Sequence, residues 1–238
     1  MRRHIFGSTE NRRGDAAFRR GIMEKATFCF LLLILLLAAC SNFPAEDVAT
    51  QEMLLETDFV DASAWSEKID AEAGTAVQIN NNSYQLSSET ASYVWGFGEE
   101  RYDDVVLETA VRQLSTEPNN AYGLVCRAPS SQSGNGYYFL ISGDGLISIR
   151  KVERGLSSPV VDWTPHSAVR QGKRPNQLRA ICAGEYLAFY VNNQLVGEGE
   201  DGRFADGFAG FAASGSEDGA VQVGFSQFSI HAAQISRE

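Results

Sequence analysis

The stretch YYFLISGDGLISIRKV, Tyr137–Val152, constrains this chain more than any other feature. Apolar and β-branched residues flank Gly143-Asp144-Gly145, residues that tolerate the positive φ a tight reversal needs, so the segment predicts a β-hairpin. YLAFYVNNQLVGE repeats the design with a turn at Asn192-Asn193. Similar runs recur at Tyr84–Leu86, Tyr93–Phe97, Val105–Leu114, Tyr122–Arg127, Gln177–Cys182, Phe208–Ala212 and Val221–His231. No helical period outlasts two turns, and ten strands in this length predict one all-β domain, a sandwich or a barrel.

The front end follows different rules. Arg12, Arg13, Arg19, Arg20 and Lys25 precede the apolar run Phe28–Leu37, which Ala38 and Ala39 close. This is the layout of an export signal. The run is too short to span a bilayer in the ordinary way, since a membrane helix needs roughly 20 apolar residues. Either Met1 or Met23 serves as the start with the same mature chain. The pair Arg19-Arg20 has a poor continuation for a twin-arginine signal.

Leu37-Ala38-Ala39-Cys40 resembles the lipobox of bacterial lipoproteins. The resemblance implies that residues 1–39 are cleaved, that the Cys40 thiol carries a diacylglyceryl group, and that the protein sits on the cell membrane or the outer membrane facing away from the cytoplasm. Each buried methylene of such a chain contributes about 0.8 kcal/mol, so several chains hold where one does not. The alternative is an ordinary cleaved signal with an incidental cysteine. Residues 40–56 show no strand alternation and read as a tether, with room for a helical turn at Glu52–Leu55, leaving 57–238 as the domain.

The first 39 residues hold 7 of the 20 basic residues and 3 of the 30 acidic ones. The remainder is therefore strongly acidic and has no basic stripe, which argues against nucleic acid as a partner. Of the four cysteines, Cys29 lies in the apolar run and Cys40 in the lipobox. Cys126 and Cys182 remain, either bridged outside the cytoplasm or as two separate thiols. A bridge closing their 57-residue loop stabilises by roughly 4 kcal/mol in a chain-entropy model.

The order of the segments DFVDASAWS, NNSYQL, YDDVVLETAVR, YGLVCRA, GYYFLISGDGLISIRK, NQLRAICAGEYLAFYVNNQLV, DGFAGFAA and VGFSQFSI resembles the concanavalin A-like lectin and glucanase superfamily. Laminin G-like domains and the 3-keto-disaccharide hydrolase domain are its nearest branches. The resemblance implies a two-sheet antiparallel jelly-roll sandwich with one concave face where relatives bind sugars. It does not imply an activity, because the fold hosts many.

Chemistry-bearing patterns are few. Glucanases of that superfamily place paired carboxylates on one strand, about 5 Å apart. In EERYDDVVLE only Glu108 lies within the strand, and Asp103 and Asp104 read as a solvated strand entrance. His166 and His231 have neither a serine elbow nor metal-ligand spacing. Gly134 and Gly143 belong to turns, without the strand-to-helix context of a phosphate loop. GEGEDGRFADG bunches Glu198, Glu200, Asp201 and Asp206, oxygen donors of the kind calcium takes, but lacks the EF-hand spacing and reads first as a solvated turn.

Sugar recognition stacks C–H faces on exposed rings beside planar hydrogen-bonding groups. The candidates are Trp95, Trp163, Tyr138 and Tyr190, with Arg127 and Arg150 as polar partners. The competing assignment is the core, since a sandwich needs large rings between its layers. Glycan binding is the leading functional expectation. A hydrolase of the keto-disaccharide type and a protein-contact module are the alternatives.

Overall fold

A computed structural model describes residues 48–60, 63–217 and 219–236. Residues 1–39, expected to be a signal peptide, and Cys40 lie outside the described residues. Every regular element within them is a strand. In chain order these are β1 (Val48–Thr57), β2 (Lys68–Asp70), β3 (Thr75–Ile79), β4 (Tyr84–Ser88) and β5 (Tyr93–Tyr102). There follow β6 (Val105–Gln113), β7 (Ala121–Ala128), β8 (Gly136–Ile141), β9 (Leu146–Glu153) and β10 (Leu156–Pro165). The last five are β11 (Asn176–Ala183), β12 (Tyr186–Val191), β13 (Gln194–Glu200), β14 (Gly207–Ser214) and β15 (Val221–Ile235).

Two antiparallel sheets result. The larger runs β13-β12-β11-β6-β15-β4-β3-β2, with β1 also on β15, and the smaller runs β10-β9-β8-β7-β14-β5. Alternation along each strand sends one set of side chains between the sheets. Tyr122, Leu124, Tyr137, Phe139 and Phe211 from the smaller sheet meet Leu107, Phe189, Phe225 and Phe228 from the larger. Both expected hairpins are present, with Asn192 and Asn193 at φ 51° and 65° and Gly145 at φ 99°.

Cys126 of β7 is bridged to Cys182 of β11, so the disulfide staples one sheet to the other. Arg127, next in the chain, is 1% exposed. Its Nε donates to Asp103 O, its Nη1 to Gly184 O and Phe204 O, and its Nη2 to Asp104 Oδ1 at 2.6 Å. One guanidinium thus ties the β5–β6 turn, the β11–β12 turn and the β13–β14 loop to β7. Asp104 is correspondingly an ion-pair partner and N–H acceptor from Gly184, instead of a purely solvated residue at a strand entrance.

The tether assignment for 40–56 is corrected from Val48 onward, and so is the helical turn at Glu52–Leu55. β1 pairs with the far half of β15, from Val48 opposite Ile235 to Thr57 opposite Phe228. β15 runs 15 residues, and β4 covers only Val221–Phe225 of the edge facing away from β6. β1 continues that edge and brings Leu55 against the core. Two register shifts, between Thr50 and Met53 and between Met53 and Leu55, break the two-residue period. That is why the stretch does not read as a strand. The turn assigned to Gly197–Gly207 is shortened as well, since β13 extends to Glu200.

Candidate functional site

The smaller sheet has a second apolar face, turned away from the core. It carries Phe97, Val125, Tyr138, Leu140 and Ala212, with Tyr93, Trp95, Trp163 and Phe208 half-buried around them. Between β5 and β8 lie β14 and β7, which present Ala212 and Gly123 here. These small residues let the Tyr93 and Tyr138 rings meet edge to face, with centroids 5.3 Å apart, across two intervening strands. Burial pushes the Tyr93 hydroxyl above its ordinary pKa despite the opposing charge of Arg150. It remains a neutral donor and acceptor at physiological pH.

The loop Ser130–Asn135 straps one side of this face. Trp95 Nε1 donates to Ser131 O at 2.9 Å, and Tyr138 Oη to Gly134 O at 2.6 Å. Asn135 Oδ1 accepts from the backbone N–H of Arg154. Gly134 has φ +61°, and a Cβ there would approach the Trp95 ring to 2.8 Å. The strap can lie this close to the indole because the position is glycine.

Two clefts flank the strap. One, of about 500 Å³, is lined by Tyr93 and Trp95 of β5, by Ser131 and Gln132 of the strap, and by Glu67 and Lys68 at the start of β2. The other, of about 370 Å³, lies further along β5 among Trp65, Phe97, Gly98, Glu99 and Phe208. Ser66 and Ser131 line both. The shared wall is fixed from below, because the buried Tyr84 hydroxyl donates to Ser66 O at 2.6 Å. Gly96 makes room for that hydroxyl, since a Cβ there would come within 2.1 Å of it. Trp65 packs among Phe59, Tyr84, Phe211 and Phe228 and bridges to Gly98.

The sequence candidates are redistributed. Trp95 lines a cleft. Trp163 and Arg150 share its sheet face; Arg150 Nε donates to Ser157 Oγ, and its Nη1 lies 3.5 Å from Asp162. Tyr138 belongs to the face but is fully buried under the strap, so it cannot stack on a ligand. Arg127 is withdrawn into the fold by its four partners and is likewise corrected to a structural residue. Tyr190 stands on the outer face of the other sheet, beneath Arg179, and does not join this site. Tyr93 and Gln132 were missed. For Tyr93 the signal was in YVWGF, whose alternation puts Tyr93, Trp95 and Phe97 on one side.

The four acidic residues of the supposed calcium turn are dispersed. Glu198 accepts from Tyr186 Oη, and Asp206 pairs with Arg101. Asp201 accepts from Tyr137 Oη at 2.6 Å and pairs with Lys151 at 2.5 Å. Glu200 ends β13 in solvent. Among the described residues no three His, Cys, Asp or Glu side chains converge as metal ligands would.

Comparison with known proteins bears on the fold. No protein-family model matches the sequence, and no curated protein matches it. Solved structures do match. The carbohydrate binding module CBM66 from Bacillus subtilis is 16% identical with a TM-score of 0.58, covering 71% of this chain and 96% of the module. A protein of unknown function with a galectin-like fold, also from Bacillus subtilis, is 13% identical with a TM-score of 0.56, covering 80% of this chain and 100% of its own. A GH43 protein from Bacillus licheniformis is 14% identical with a TM-score of 0.54, covering 74% of this chain and 39% of that one. The fold is thus the all-β, two-sheet antiparallel sandwich of galectin-like and jelly-roll proteins, consistent with the concanavalin A-like expectation.

Proposed function

We propose that this protein is a carbohydrate-binding module displayed outside the cytoplasm and held at the cell membrane or outer membrane by lipid on Cys40. The observation that carries the reading is the cleft at Trp95. It offers a half-buried indole and a half-buried phenol, Tyr93, beside Gln132, Glu67 and Lys68. Rings supply the stacking surface, and a few fixed polar groups supply orientation. The carbohydrate-binding neighbour of the same fold supports the ligand class, and the lipobox at Cys40 supports the location.

Binding here needs no metal, because the lining groups recognise hydroxyls directly. A glycan array probed with the purified protein, with calcium and with chelator, should give the same hits in both conditions. Trp95→Ala should lose those hits, and a cooperative melt, at a midpoint lowered by the loss of its apolar contacts and of its bond to the strap, should show that the variant still folds. Flat responses from the wild-type protein in every condition would refute the reading. Incubating the hits with the protein and assaying released reducing ends tests the keto-disaccharide hydrolase alternative. Replacing Cys40 with Ser should abolish incorporation of radiolabelled fatty acid, and persistent labelling would refute the anchor.

A further inference from the structure

We propose that the clefts on either side of Ser131 are two lobes of one groove, and that the groove holds a neutral linear oligosaccharide lengthwise along β5. The inference rests on the carbohydrate-binding reading and adds the form of the ligand: a chain of two or more units, not a single terminal sugar.

Continuity comes first. Ser66 and Ser131, both small, line each lobe and form the waist between them. The rings are spaced along the groove. Tyr93 and Trp95 are successive outward positions of β5, the buried Phe97 that follows them forms the floor of the second lobe, and the four residue steps from Tyr93 to Phe97 span roughly 13 Å, longer than one sugar ring. Phe208 of the neighbouring strand extends the platform in the second lobe, where the Arg101 guanidinium packs over its ring at 5.3 Å.

The walls are preorganised, which suits a flexible chain that must itself be ordered on binding. The Tyr84 hydroxyl holds the Ser66 carbonyl, the Trp65–Gly98 bridge holds the segment before it, and Trp95 Nε1 holds the strap at Ser131. Fixing these before the ligand arrives removes their ordering cost from the binding step. The charges select a neutral chain. Lys68, the cation lining the first lobe, stands beside Glu67 and also pairs with Asp70 at 3.6 Å, while Glu99 is the charged residue lining the second, with Arg101 nearby already paired with Asp206. Among the described residues neither lobe presents the excess of cationic side chains that a phosphorylated or uronic ligand would require.

The test is calorimetric titration of the purified full-length protein with ladders of one to six units in the glucose, xylose, mannose and fructose series. In a series that binds, affinity should rise at least tenfold between one and four units. Ser63→Trp fills the second lobe from an exposed turn, so its affinity should no longer depend on length. Phe208→Ala should lose most of the same gain, and melting curves establish that both variants fold. A series that binds with flat affinity, or a length dependence that survives Ser63→Trp, overturns the groove and leaves the carbohydrate reading standing. Absence of binding in every series overturns both.

Discussion

Removing the Arg127 guanidinium should cost stability and leave ligand recognition alone. Arg127→Met keeps the apolar stem and deletes every donor. Three backbone carbonyls, of Asp103, Gly184 and Phe204, then lose their N–H partner. Asp104 loses its ion pair, but its side chain is 42% exposed and can turn to water. The penalty therefore falls mainly on the carbonyls, at about 1–3 kcal/mol for each one kept from solvent. A total of about 3–5 kcal/mol matches the usual cost of deleting one partner of a buried charge network. For a domain of this size, 1 kcal/mol moves the midpoint by roughly 2–4 °C, so the melting temperature should fall by about 10–15 °C. Arg127→Lys should recover a minor part, because an ammonium cannot reproduce a fork that serves three loops. Thermal unfolding followed by circular dichroism at neutral pH reads the effect. A fall under about 3 °C would refute the reasoning, and lost glycan binding at an unchanged midpoint would return Arg127 to the ligand site.

Replacing both Cys126 and Cys182 with Ala should cost roughly 4 kcal/mol by the chain-entropy model, and reductant should lower the wild-type midpoint while leaving the variant unmoved. If reductant shifts neither, the bridge does not form in solution. Asp201 gives a pH signature: burial alone would raise its pKa, but Lys151, Tyr137 Oη and the Arg203 N–H outweigh it and hold the carboxyl below the ordinary aspartate value. A depressed folded pKa contributes stability above the unfolded value, near 4, that is lost as pH falls through the folded one. The difference in urea midpoint between wild type and Asp201→Asn should be full at pH 7 and should shrink at pH 3; a constant difference would exclude the ion pair as its source.

The strands legible in the sequence are interior ones, rich in apolar and aromatic residues and bounded by clear turn signals. The runs at Tyr137, Leu146, Gln177 and Tyr186 are strands paired on both edges, and the sequence runs fall within two residues of the observed strands. What escaped is peripheral or irregular. β10 is an exposed edge with prolines at 159 and 165, where proline is tolerated because no neighbour needs its N–H. β13, QLVGEGE, was legible in its first half as the second arm of a hairpin, and its far end, with two glycines at the other sheet's edge, reads as a turn. β1 hides its period behind two bulges. The disulfide was legible only by exclusion of the other two cysteines. Its placement across the sheets needed the topology.

The site was legible in its residue types and not in their roles, and the two arginines show why. Arg127 and Arg150 both follow apolar strand residues, and the sequence treats them alike. In the fold Arg150 lies opposite Tyr138 on the outward face, while Arg127 adopts φ 52° and turns its side chain under three loops. That backbone conformation is uncommon for a residue other than glycine, and the four hydrogen bonds over-determine it. Tyr138 and Tyr93 separate by the same logic. Both point outward by alternation, and the strap covers Tyr138 while leaving Tyr93 at the rim of a cleft. The difference is made by the loop that leads directly into β8 and by the glycine that lets it approach. Substituting Gly134 is therefore the change that would most directly alter which rings a ligand meets, although no ligand touches that residue's absent side chain.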